Sequence, residues 1–164
     1  MMKNNNVPSD DFTLDGKWVY FTLDELIHSD TADRLGIDNS PTCDAISNLD
    51  DLVTNVLDRL RSEWGRPIIV TSGYRCKELN AAVGGARYSQ HLKGQAADIV
   101  SDDFESFRRF VRRWCKDNNV PSDFTSGGNE FAQCIFEHSS DSEWIHISFN
   151  RGRNRRQIID LSVG

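Results

Sequence analysis

Glu143-Trp144-Ile145-His146-Ile147-Ser148-Phe149 alternates polar or mixed positions with apolar ones. In an extended chain Ile145, Ile147 and Phe149 share one face, and Trp144, His146 and Ser148 share the other. The apolar set belongs against a core, so His146 points away from it. This makes Trp144–Phe149 a half-buried strand. Phe131–Glu137 reads as the strand before it, and the polar stretch His138–Ser142 closes the two into a hairpin.

Outward from the hairpin, Gln95–Val100 is another strand, in which Asp98 opposes Ala97 and Ile99. Pro67-Ile-Ile-Val-Thr71 is β-branched and apolar, a buried strand. Helical spacing replaces alternation elsewhere. Ile46, Leu49, Val53, Val56, Leu57, Leu60 and Trp64 step by three and four, which predicts a helix over roughly 44–64, stopped by Gly65 and Pro67. Phe104, Phe107, Phe110, Val111 and Trp114 make one face of a second, capped by Asp102 or Asp103 and running to about Asn118. Phe21–Ile27, capped by Thr22, and Glu78–Val83 are shorter helices, and Asp30–Pro41 is turn-rich. Val120–Asn129 reads as a loop. Helices first, then strands mixed with one more helix, give an α+β fold: helices packed on one face of a small, mostly antiparallel sheet.

A chain of 164 residues with 38% apolar content and nine phenylalanines can build one core unaided. Residues 1–19 read as a flexible N-terminal segment, 20–150 as the domain, and 151–164 as a basic tail, solvated and paired with the acidic surface. A net charge of −6 argues against nucleic acid as a partner. Cys43, Cys76, Cys115 and Cys134 show no CxxC spacing and read as reduced thiols. No apolar stretch is long enough to enter a membrane, and no secretory signal follows Met1. Synthesis in the cytosol and a monomeric chain are the expectation.

Chemistry concentrates in two places. Ser89-Gln90-His91-Leu92-Lys93-Gly94-Gln95-Ala96-Ala97-Asp98 holds a histidine and an aspartate seven positions apart. Glu143 precedes His146 by three. Two neutral imidazoles and a carboxylate are a three-ligand set for catalytic zinc, with one coordination position left open. Gly94 permits the sharp return that would bring His91 back over Asp98. A carboxylate inside Ala-Ala-Asp-Ile-Val is costly to bury without a cation or a donor beside it. Against this stands the ordinary reading of a histidine as structural or exposed, which is the reading taken for His28 and His138. Glu143 has an obstacle of its own: its odd separation from His146 turns it to the wrong face unless it lies before the strand or at a bulge.

Ser-Gly-Tyr-Arg (72–75), Ser-x-His-x-x-Gly-x-Ala-x-Asp (89–98) and Glu-x-x-His (143–146) together resemble the M15 family of zinc peptidases. Leu79-Asn80 and Val83-Gly84-Gly85, ahead of the Ser-x-His, resemble its D-Ala-D-Ala carboxypeptidase-like branch, common in phages and prophages. The likeness runs from about residue 20 to 150 and implies a hedgehog/DD-peptidase-like fold. By this resemblance His91, Asp98 and His146 bind one Zn2+ per chain and Glu143 is the general base. Arg75 holds a substrate carboxylate or carbonyl, and Ser89 and Gln90 orient the metal ligands or the substrate. Tyr74 is a site wall or core residue, and Trp144 is read as core. The implied reaction is metal-assisted hydrolysis of peptidoglycan stem peptides, by a DD-carboxypeptidase or an endolysin-type endopeptidase. The chain would then meet the cell wall only if released, by a holin or with a virion. The rival reading is a zinc-binding wall or phage structural protein without catalysis.

Overall fold

The computed structural model describes residues 17–117 and 130–162. Two short helices open it. In α1 (Leu23–Ile27) the Thr22 hydroxyl accepts from the Glu25 N–H, and the Glu25 carboxylate accepts from the Thr22 N–H at 2.8 Å. This capping box satisfies two otherwise orphaned donors. α2 (Asp30–Leu35) occupies the stretch read as turns.

The long helix is continuous but not uniform. α3 (Cys43–Leu52) and α4 (Asp58–Trp64) are joined by one π-helical segment, Val53–Leu57. Within it, Asn55 Nδ2 donates to the Asp51 carbonyl at 2.8 Å, the acceptor an α-helix would give to the Asn55 N–H. The buried face still runs unbroken through Leu49, Leu52, Val53, Val56, Leu57 and Leu60. After β1 (Ile69–Ser72) come α5 (Lys77–Ala82), a 3-10 turn (Gln90–Lys93) and β2 (Ala96–Val100). Asp103 caps α6 (Phe104–Lys116), accepting from the Ser106 N–H at 3.2 Å. The chain ends in β3 (Gln133–His138), β4 (Glu143–Ser148) and β5 (Gln157–Ser162).

The five strands form one sheet in the order β1-β2-β4-β3-β5. β1/β2, β2/β4 and β3/β4 are antiparallel, and β3/β5 is parallel, so the sheet is mixed. The fold is α+β. Ala97, Ile99, Cys134, Phe136, Ile145 and Ile147 share one cluster with the long helix and with Phe107, Val111 and Trp114 of α6. Burying each large apolar side chain contributes about 1.5–3 kcal/mol. The opposite face of β2 and β4 carries Asp98 and His146 (the alternation read from the sequence).

Two expectations change, and a third falls on residues that are not described. First, the N-terminal segment is not loose to residue 19. Residues 1–16 lie outside the described part, but Trp18 is buried and its indole N–H donates to Asp50 at 3.0 Å. The Val19 and Tyr20 amides donate to the Asp58 carboxylate. Second, Arg151 of the C-terminal run does pair with the acidic surface, but the run continues into a strand instead of ending as a tail. Residues 157–162 form edge strand β5, with Asp160 held by Arg112 and Arg151 paired with Asp51. Third, the loop read over Val120–Asn129 lies outside the described residues. All four cysteines are free thiols, with Cys115 and Cys134 buried. No helix among the described residues is long and apolar enough to cross a membrane.

Candidate metal centre

Asp98 and His146 face each other across the β2/β4 ladder as Cα partners, and Ser72 of β1 is the partner of Asp98 on the other side. One row of the open face therefore runs Ser72, Asp98, His146. His91 comes over this row from the 3-10 turn. That turn is opened by Ser89, whose Oγ accepts from the His91 N–H at 3.3 Å, and closed by Gly94 at φ 68°. A side chain at Gly94 would be strained by that φ and would meet the Ala45 carbonyl at 2.5 Å.

The three side chains converge. His146 Nδ1 lies 3.0 Å from Asp98 Oδ1, His91 Nε2 lies 3.2 Å from the same oxygen, and the two imidazole nitrogens are 3.2 Å apart. All three residues are buried. Each ring's other nitrogen meets an oxygen: a backbone carbonyl, which can only accept, for His91, and a side-chain amide oxygen for His146. His91 Nδ1 is 2.7 Å from the Gly73 carbonyl, and His146 Nε2 is 3.1 Å from Gln90 Oε1. Those outer nitrogens must carry the protons in the neutral rings. His91 Nε2, His146 Nδ1 and Asp98 Oδ1 then point lone pairs at one another with no proton between them. That arrangement is unstable unless a cation or added protons fill it, and two nitrogens with one carboxylate oxygen suit Zn2+.

The surroundings hold the set in this state. Arg75 Nη2 donates to Asp98 Oδ2 at 2.9 Å and Arg75 Nε to Ser72 Oγ at 2.8 Å. Burial alone would raise the Asp98 pKa. In the metal-free site, protons taken up by His146 and His91 bond to Asp98, outweigh the burial and hold the carboxyl well below the usual carboxylate range. Gly73, Gln90 and Arg75 are thus the outer partners that fix ligand orientation.

The structure brings His91, Asp98, His146, Arg75, Ser89 and Gln90 together. Arg75 spends two of its donors inside the site. Glu143 is not brought in. The β3/β4 pairing is regular from His138↔Glu143 to Gln133↔Ser148, with neither bulge nor irregular start, and Glu143 is exposed. Strand alternation turns it to the face opposite His146. Tyr74 is buried in the core, whereas Trp144, read as core, is only half-buried and stands on the open face with His146.

A family model described as Peptidase M15 matches residues 19–134, more than two thirds of the chain. The chain belongs to the M15 peptidase family. No curated protein matches it. M15 peptidases are zinc-dependent metallopeptidases, and the matched part of this one contains Arg75, His91 and Asp98. His146 lies beyond the match, and the sheet supplies it by pairing β4 with β2. Glu137, which the sequence did not single out, stands on the same open face of the sheet as His146. It shares the open face with Trp144, its cross-strand partner. Its even spacing from Gln133 and Ile135 was the available signal.

Proposed function

We propose that the chain is a zinc-dependent peptidase that hydrolyses peptidoglycan stem peptides. The observation that carries the reading is the convergence of His91 Nε2, His146 Nδ1 and Asp98 Oδ1, with an oxygen acceptor behind each ring. When bound, Zn2+ supplies Lewis acidity, which acidifies a water molecule and polarises a carbonyl. The chain's own residues do the rest. Gly73 and Gln90 hold the imidazoles in the ligating tautomer, and Arg75, bonded to Asp98 Oδ2, leaves Oδ1 turned toward them.

A peptide has a place to lie. A groove of about 290 Å³ is lined by Gln90, Asn150, Arg153, Arg155 and Gln157, and Gln90, whose Oε1 meets His146 Nε2, links it to the metal ligands. Side-chain amides suit peptide carbonyls, and guanidiniums suit carboxylates, which stem peptides carry on side chains and at the C-terminus. Replacing Arg153 and Arg155 together with Ala is expected to raise KM about tenfold, the worth of one charge-assisted hydrogen bond of about 1.5 kcal/mol. Turnover should change by less than about twofold. Steady-state kinetics on a soluble stem peptide reads both constants.

The activity itself is tested with purified muropeptides, zinc-loaded protein and mass spectrometry of the products, with EDTA as control. EDTA-sensitive loss of a terminal D-alanine identifies a carboxypeptidase. An internal cut identifies an endopeptidase. One zinc per chain without cleavage overturns the enzymatic reading in favour of a wall-binding role.

A further inference from the structure

We propose that Glu137 of β3, rather than Glu143, is the general base of this site. The proposal rests on the peptidase reading above and on four features of the open face. The hairpin register pairs Ile135 with His146 and Glu137 with Trp144, which sets Glu137 diagonally beside His146 on the same side of the sheet. Diagonal neighbours in an antiparallel pair are within reach of a glutamate side chain. Glu137 is half-buried at the rim of the site, whereas Glu143 is exposed on the other side. Its carboxyl is also close enough to respond to the charges of Asp98, His146 and Arg75. Yet it is not one of the three mutually close ligand groups, which are His91, Asp98 and His146. A carboxylate beside the ligands but outside the ligand set is what a base requires.

The environment suits the task. Burial pushes the Glu137 carboxyl up, and the charge of Asp98 adds to this. His146, the Trp144 hydrogen bond and Arg75 offset only part of it. Trp144, the cross-strand partner of Glu137, stands beside its carboxylate on the open face. As the water oxygen bonds to the peptide carbon, its proton passes to Glu137. As the C–N bond breaks, Glu137 returns that proton to the leaving amine. One water is consumed, one carboxyl group and one amine are formed, and Glu137 ends as it began.

The test compares Glu137→Gln, Glu137→Asp and Glu143→Gln with the zinc-loaded wild type, reading zinc per chain, kcat and KM on a muropeptide. Glu137→Gln is expected to keep one zinc and a near-normal KM while kcat falls about 10²–10⁴-fold. Glu137→Asp, shorter by one CH2, should recover part of that loss. Zinc content, measured separately, distinguishes a lost base from a lost fold. The proposal is overturned if Glu137→Gln keeps kcat within about threefold of wild type at full zinc, or if Glu143→Gln loses the larger factor. A zinc-replete wild type that cleaves nothing instead overturns the peptidase reading, and this proposal with it.

Discussion

Replacing Asp98 with Ala is expected to abolish stoichiometric zinc binding and to unfold the metal-free protein about 3–5 kcal/mol more easily. The first effect follows from losing one of three ligands. The second comes from Arg75, whose side chain is 16% exposed and whose Nη2 is held by Asp98. Removing the carboxylate leaves a nearly buried guanidinium without its counter-charge.

Asp98→Asn separates the two effects. The amide oxygen can still accept from Arg75, and the amide N–H2 can donate to the imidazole lone pairs that Asp98 leaves facing it. The substituted amide thereby supplies the missing donor and should satisfy the cluster without a cation. Zinc is lost in both variants, yet the metal-free Asp98→Asn protein should be the more stable of the two. Urea unfolding in EDTA at pH 7 gives the order, and zinc-dependent shifts in Tm give binding. The pH matters. The Asp98 carboxyl is held low in the folded state, so its contribution is fully present above the unfolded carboxylate pKa and is lost only as pH falls through the depressed one. At pH 7 the whole difference is visible. Equal stability of Asp98→Ala and the wild type in EDTA would show that Arg75 does not depend on Asp98.

Much of this site could be read from spacing because strand alternation is a strict geometric rule. Ile145 and Ile147 fixed the outward turn of His146, and Ala97 and Ile99 did the same for Asp98. The 3-10 turn closed by Gly94 was legible for the same kind of reason, since a short loop ending in glycine reverses direction. Glu143 shows where a motif and geometry part. The Glu-x-x-His spacing attracted the role of base, while the odd separation argued against it, and the regular hairpin settles the facing in favour of the geometry. Glu137 required the hairpin register, which depends on the four residues 139–142 between the strands and not on any motif. β5 was missed because Ile158 and Ile159 are adjacent instead of alternating, and arginines precede them. An edge strand with one pairing partner needs little apolar patterning. The π segment leaves the order of buried residues unchanged, so periodicity alone does not reveal it.

Gly73→Ala is expected to lower zinc affinity about 10–100-fold, although Gly73 touches no metal. The reason lies in how closely two backbones approach. A Cβ at residue 73 would sit 2.1 Å from the Leu26 carbonyl oxygen and 2.9 Å from its carbon. Both are main-chain atoms of α1, so no side chain can swing aside. The approach is fixed by the Tyr74 N–H, which donates to the same Leu26 carbonyl at 2.7 Å. To admit a methyl group the Ser72–Arg75 segment must withdraw from α1. It carries two outer partners of the metal centre with it: the Gly73 carbonyl that fixes the His91 tautomer, and Arg75, which holds Asp98. Loss of such outer partners costs metal affinity on the scale stated. The overpacking itself should destabilise by about 1–3 kcal/mol. Gly36→Ala is the matched control, because Gly36 has a left-handed φ but a Cβ there would meet nothing within 4 Å, and it has no link to the site. It should lose about 1 kcal/mol of stability and keep its zinc. Competition with a chromogenic chelator measures both affinities. If Gly73→Ala binds zinc as tightly as wild type, the carbonyl of residue 73 does not govern His91, and the tautomer must be set by the metal alone.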